Sequence, residues 1–243
     1  MKNQIFIQAR VNSTRYPRKI LKKIDEKTIL EIILDRIRNI KNINKIILVT
    51  GIKEKNNELV DEARKLGLDV FCGDEENILD RFYHAAKKFQ PDNIIRITGD
   101  CPLIDSRIIN QGLEIFNSKQ IDLLTNTKKR TFAHGLDFEI FSKRSLDKAW
   151  NDVIGNDKEK RGEFVNPIEY IINSNKFNIH SFENDKDDSK IRITIDYPED
   201  FTVISKIYNE LNNKKSNFSS SDIIDFLYLH PELVNLNDKY EKN

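Results

Sequence analysis

"QIFIQARVNSTRYPRK", residues 4–19, is the stretch whose reading decides the fold. The apolar run Gln4-Ile5-Phe6-Ile7 gives way at once to four cations, Arg10, Arg15, Arg18 and Lys19, together with the hydroxyls of Ser13 and Thr14. The run has the length and composition of a buried strand, and residues 8–19 cannot be strand or helix throughout. A strand that empties into a cationic, hydroxyl-rich loop suits an open α/β sheet, where ligands lie beyond the carboxyl ends of the strands.

The rest of the chain extends this pattern. Apolar runs at 45–50, 68–71 and 93–98 alternate with amphipathic stretches at 28–39, 57–66 and 76–89. That alternation predicts a mostly parallel, twisted, doubly wound sheet with helices on both faces. Thr28 followed by Glu31 is a helix start signal before Ile32 and Ile33. Beyond residue 120, strand-like segments at 121–125, 137–141, 177–182 and 190–195 sit among helices, which suggests an excursion over about 126–182 and then a return to the sheet. Pro198 opens one further helix and Ser219 with Asp222 another, and the polar residues 236–243 are expected to fray.

Composition limits the function. With 243 residues, 38% of them hydrophobic, the chain suits one α/β domain. Forty basic against thirty-nine acidic residues give a net charge of +1, so no global field favours nucleic acid or an anionic membrane. No apolar run reaches spanning length, and Cys72 and Cys101 have neither disulfide-framework nor metal-ligand spacing. A cytoplasmic protein is expected.

Three charged segments come directly after strands: 8–19, "TGDCPL" at 98–103 and "DYPED" at 196–200. The first contains neither G-x-G-x-x-G nor G-x-x-x-x-G-K-[ST], which removes the dinucleotide fingerprint and the P-loop. It can still wrap a polyphosphate with backbone amides and cations, although a solvated basic loop has the same composition. Asp100 and Asp196 each end a strand-like run, and two such carboxylates would supply the modest protein share of a Mg²⁺ shell. A helix N-cap explains Asp196 or Asp105 as well. Asp80 and Arg81 on a helix read as a surface ion pair. Asp137 and Glu139 share one face in "HGLDFEIF" at 134–141, as either a solvated edge strand or a substrate wall.

Together "IQARVNSTRYPRKIL", "ITGDCPLID", "HGLDFEIFS" and "IRITIDYPED" resemble the spore-coat polysaccharide biosynthesis protein F group of cytidylyltransferases, relatives of the CMP-Kdo and CMP-sialic acid synthetases. The likeness runs over almost the whole chain, including "VFCGDEENILDRFYHAAK" and "HPELVNLN". It implies a Rossmann-like nucleotidyltransferase fold with an inserted β/α region that dimerises. It also implies transfer of CMP from CTP to a sugar or sugar-acid acceptor, with pyrophosphate released and Mg²⁺ as cofactor. Carried over, Gln8, Ala9, Arg10, Ser13, Thr14, Arg15, Lys19, Arg81, Thr98 and Gly99 become the nucleotide site. Lys19, Arg15 and Asp100 become catalytic, Asp100 and Asp196 hold the metal, and His134, Gly135, Asp137 and Glu139 face the acceptor. The chain departs from the group at Asn12 and Arg18, where glycine is usual, and at Phe164 in "RGEF" from Arg161, where a histidine is usual. A nucleotide-sugar-dependent glycosyltransferase would call for a D-x-D pair, where this chain has Asp100-Cys101-Pro102. A noncatalytic nucleotide-binding protein is the other alternative.

Overall fold

The computed structural model describes residues 1–155, 165–215 and 217–240. The segment Arg161–Phe164, with its family departure, lies outside the described residues. A seven-stranded sheet organises the chain. Strand β1 (Asn3–Gln8) pairs in parallel with β4 (Ile43–Thr50) on one side and β6 (Asn93–Thr98) on the other. Beyond β4 lies β5 (Asp69–Cys72), and a small hairpin of β2 (Lys23–Ile24) and β3 (Lys27–Thr28) stands apart. Beyond β6 come β8 (Phe138–Ser142), β7 (Leu123–Thr125) and β9 (Ile179–Ser181), so the order is β5-β4-β1-β6-β8-β7-β9. Only β8 runs against its neighbours. The chain moves from β1 outward to β5 and then returns to the other side of β1, so the strand order reverses between β1 and β6. A cleft must open there, because successive connections leave in opposite directions.

The period-2 alternation of the strands divides the core in two. Ile5, Ile7, Leu48, Ile95, Ile97 and Ile140 point to one face, which is covered by α1 (Ile29–Ile37), α2 (Lys53–Lys65), α4 (Ser106–Ser118), α7 (Pro198–Lys214) and α8 (Ser220–Leu229). Phe6, Ile47, Val49, Ile94, Leu123 and Phe141 point to the other, under α3 (Ile78–Phe89), α5 (Lys143–Val153) and α6 (Pro167–Asn173). Burying each such side chain contributes about 1.5–3 kcal/mol. Thr28 caps α1 by accepting from the Glu31 amide, and Ser219 with Asp222 forms a reciprocal capping box on α8, as the sequence predicts.

Several expectations change. The stretch 190–195 belongs to no strand: it begins in a turn, and its ladder contact among the described residues is a bridge between His134 and Arg192. The reason is topological: both edges of β6 are already taken, by β1 and β8, so the segment crosses the strand ends instead. Residues 126–182 do not stand apart from the sheet, since β8 lies inside it. Glu139 on β8 is consequently buried rather than solvated, and Asp137, just before the strand, is half-buried. Residues 236–240 are not frayed, because helix α9 (Pro231–Asn237) delivers a buried Asn237 whose Nδ2 donates to Asp200 at 2.8 Å, and Tyr240 stacks on Tyr197.

Asp80 and Arg81 are no surface pair. Both are buried, with Asp80 accepting from Trp150 Nε1 at 2.8 Å while Arg81 turns away toward the carbonyls of Asp74 and Glu75. Both cysteines are free thiols. Among the described residues no helix is long and apolar enough to cross a membrane.

Candidate active site

A cavity of about 280 Å³ opens where the carboxyl ends of β1 and β6 diverge. The loop after β1 builds one wall. It is closed on itself, because Val11 O accepts from the amides of Ser13 and Arg18, and it is tied to α2 where the Val11 amide donates to the buried Asn56. Arg18 closes the loop in the left-handed region at φ 62°, which costs a non-glycine residue about 1–2 kcal/mol. The backbone shape expected of the family's glycine is therefore kept. The Arg18 side chain leaves the site to pair with Glu58.

So shaped, the loop sends Ala9, Arg10, Ser13, Thr14, Arg15 and Lys19 to the cavity beside Gln8 at the end of β1. Thr98, Gly99 and Asp100 line it from the end of β6, Arg81 from α3 and Asp196 from the crossing segment. At Gly99 a Cβ would stand 2.8 Å from Ala9 Cβ, so only glycine lets the two strand ends approach this closely.

Asp100 and Asp196 are brought together by backbone and by charge. The Asp100 carbonyl accepts from the Ile195 amide at 2.8 Å and the Thr194 hydroxyl at 3.0 Å, which pins the crossing segment to the end of β6. Asp200, fully buried at the start of α7, accepts from the amides of Asp196 and Tyr197 and from the Arg192 guanidinium. Asp196 is thus held by the helix cap and is not itself that cap. Asp105 does cap α4.

Lys19 Nζ lies 2.9 Å from Asp196 and 3.5 Å from Asp100, and Arg15 reaches Asp196 at 2.8 Å. Burial pushes the Asp100 carboxyl up, but the Lys19 ammonium and hydrogen bonds from Thr98 and Cys101 outweigh it and hold the group at about 2. Two hard oxygen donors already share one cation, so in donor type and placement they fit a divalent ion such as Mg²⁺.

Arg81 is the opposite case, a buried cation with no carboxylate at ion-pair distance among the described residues. Among the described residues its Nε has no hydrogen-bond partner, and burial pulls its pKa down to about 10. Such a group lacks an anion.

The four residues expected to face the acceptor do not line this cavity. His134 Nδ1 lies 3.3 Å from Arg192, Asp137 is clasped by Arg130, and Glu139 is buried against Arg96 at 2.7 Å. Gly135 has φ +116°, and a Cβ there would meet Ile193 O at 2.4 Å, which gives it a packing reason to be glycine. Sequence reasoning missed Arg96, Glu75 and Glu76, which line the cavity, and the buried pair Arg192–Asp200 behind it. Position 96 within "NIIRIT" carried a signal: a charge inside an apolar strand requires a partner.

A sequence model of the family described as cytidylyltransferase matches residues 4–223. An uncharacterised protein of Methanocaldococcus jannaschii is 37% identical over 236 residues, covering 95% of this chain and 92% of that one. The spore coat polysaccharide biosynthesis protein SpsF of Bacillus subtilis is 36% identical over 108 residues, covering 43% and 45%. Among solved structures, a cytidylyltransferase from Leptospira borgpetersenii superposes with a TM-score of 0.85 at 36% identity, covering 96% of this chain and 97% of that one. A CMP-Kdo synthetase complexed with CTP shares the fold alone, with a TM-score of 0.65 at 15% identity over 86% and 99% of the two chains. The chain belongs to the cytidylyltransferase family, and is a nucleotidyltransferase related to the SpsF and CMP-Kdo synthetase groups.

Proposed function

We propose that this protein transfers CMP from CTP to a hydroxyl of a sugar or sugar-acid acceptor, releasing pyrophosphate, with Mg²⁺ held by Asp100 and Asp196. The observation that carries this reading is the facing of Arg10, Arg15, Lys19 and Arg81 with two aspartates across one cavity. Cations there match a triphosphate, while the carboxylates repel one unless a metal stands between. The B. subtilis relative, named for spore coat polysaccharide biosynthesis, supports a role in surface glycan synthesis.

In the step itself the acceptor oxygen attacks the α-phosphorus in line, the bond to the β-phosphate oxygen breaks, and the hydroxyl proton passes to solvent. The residues contribute position and charge rather than a covalent intermediate. Lys19 and Arg15, freed from Asp196 when the triphosphate enters, neutralise the leaving pyrophosphate. The hydroxyls of Ser13 and Thr14, which line the cavity, fix its orientation. A divalent ion, when bound, supplies further charge neutralisation and lowers the pKa of the attacking hydroxyl.

The test is pyrophosphate release in the presence of Mg²⁺, with each of four nucleoside triphosphates against a panel of sugars and sugar acids. Release that requires CTP, Mg²⁺ and one class of acceptor is the expected result. Release with ATP, GTP or UTP in place of CTP overturns the choice of donor, and no release with any pair overturns the reading.

A further inference from the structure

Gln8 and Arg96, which line the cavity, and Glu139 behind them form a chain of contacts across three adjacent strands. Glu139 on β8 stands directly opposite Arg96 on β6 in the ladder, and its Oε2 accepts from Arg96 Nη1 at 2.7 Å. Arg96 Nε in turn donates to Gln8 Oε1, at the end of β1, at 2.8 Å. Arg96 and Glu139 are both buried, at 8% and 4% exposure, so neither can turn away into water.

The consequence falls on Gln8. A glutamine amide is ambivalent, because turning it by half a revolution exchanges an acceptor for two donors. A guanidinium has only donors, so Arg96 takes the oxygen and leaves the Nε2 hydrogens on the other side. Among the described residues no group accepts them, and Gln8 lines the cavity. This corner also differs from the rest of the site in charge, since Glu139 already balances Arg96. A neutral, donor-only corner suits a neutral acceptor edge of the ligand, not a phosphate.

We infer that Gln8, locked by Arg96 and Glu139, is a specificity-determining residue that donates to the acceptor edge of the nucleotide base. This rests on the CTP reading proposed above. Cytosine offers two acceptors, O2 and N3, at the edge where uracil carries an N3–H donor. An unlocked glutamine could turn to suit either base. A locked one meets uracil with donor against donor, and selectivity arises from that repulsion as much as from the bond to cytosine. Glu139 acts through Arg96 as a positioning residue, which also accounts for its burial away from the acceptor.

Binding of CTP, UTP and inorganic tripolyphosphate, measured by calorimetry with Mg²⁺, tests the inference on the wild type and three variants. Gln8→Glu places an acceptor where the donor stood, so the CTP-over-UTP preference should fall about tenfold or more, with UTP binding improved. Gln8→Met should lose the preference without gaining UTP, and Glu139→Gln should weaken it with Gln8 untouched. Tripolyphosphate affinity should hold in all three, which a merely damaged site would not show. A wild type that binds CTP and UTP alike overturns the inference, as does a ratio within about twofold of wild type in both Gln8 variants, while the CTP reading stands. A wild type that binds tripolyphosphate but no CTP removes that reading and this inference with it.

Discussion

Lys19 Nζ and Asp196 Oδ1 stand 2.9 Å apart although 177 residues separate them in the chain. The pair closes the cavity between the first loop and the last crossing segment, and both groups are largely buried. Neither is spare, because Asp196 also holds Arg15 and Arg192, and Lys19 also approaches Asp100. Without ligand, the carboxylates and the cations neutralise each other. A triphosphate with its counter-ion would exchange partners on both sides at little change in total charge.

Lys19→Ala should therefore leave a folded protein, since Asp196 keeps two guanidinium partners. The loss should appear in chemistry. Removing one preorganised cation from a developing charge costs about 10²–10³ in rate, so kcat for pyrophosphate release should fall by that order with the far-UV spectrum unchanged. A kcat within about threefold of wild type would take Lys19 out of leaving-group stabilisation.

Asp100→Asn should abolish the dependence of turnover on divalent ion and lower kcat by about 10²–10³. It has a second signature in acid. The Asp100 carboxyl lies at about 2 in the folded protein against an ordinary 3.8, so the unfolded chain binds its proton first. Its contribution to stability is complete above about pH 4 and is lost as the pH falls through about 2. Denaturant melts of wild type and Asp100→Asn should thus converge over that window. Parallel curves would mean that the Lys19 ammonium does not hold the carboxylate ionised.

The β1 strand, the basic loop after it and the strand-end carboxylates Asp100 and Asp196 were legible because each is a local signal, whereas the other expected cavity residues, Arg81 among them, came from the family resemblance. Hydrophobic alternation, a glycine at a strand end and a carboxylate after an apolar run all act within a few residues. The features that were not legible depended on partners far away in sequence. Glu139 could not be told from a solvated or substrate-facing acid without knowing that β8 lies beside β6 and places Arg96 opposite. The run 190–195 has the composition of a strand, but nothing in it records that both edges of β6 are already paired. Asp80 resembled half of a surface pair until Trp150, 70 residues on, supplied its hydrogen bond.

Arg81→Met should separate function from stability. The guanidinium is buried, its Nε has no partner among the described residues, and burial depresses its pKa to about 10, all signs of a charge held at a cost to folding. An apolar side chain of similar length should leave the protein as stable as wild type or up to about 2 kcal/mol more so. If the missing anion is a ligand phosphate, CTP affinity should fall about tenfold or more in the same variant. Calorimetry and thermal melts on one preparation read both, and a variant that loses stability but binds CTP normally would make Arg81 a structural residue.

Gly135→Ala tests whether this glycine serves packing or the acceptor. At φ +116° the backbone is outside the range that side chains adopt readily, and the new Cβ would press on Ile193 O and the Thr194 amide at 2.4 and 2.7 Å. Those atoms belong to the segment that carries Asp196, and the adjoining amide of Ile195 is the group bonded to the Asp100 carbonyl. Relief must therefore move the crossing segment, since β6 and β8 are fixed in the sheet. Stability should fall by about 1–3 kcal/mol. Activity should fall further than that loss accounts for, because the displacement separates Asp196 from Asp100 and Lys19. The decisive comparison is tripolyphosphate or CTP binding at a temperature where the variant is fully folded. Weakened binding there places the effect on the aspartate pair, as the geometry requires. Normal nucleotide binding with a raised KM for the acceptor would return Gly135 to the acceptor wall instead.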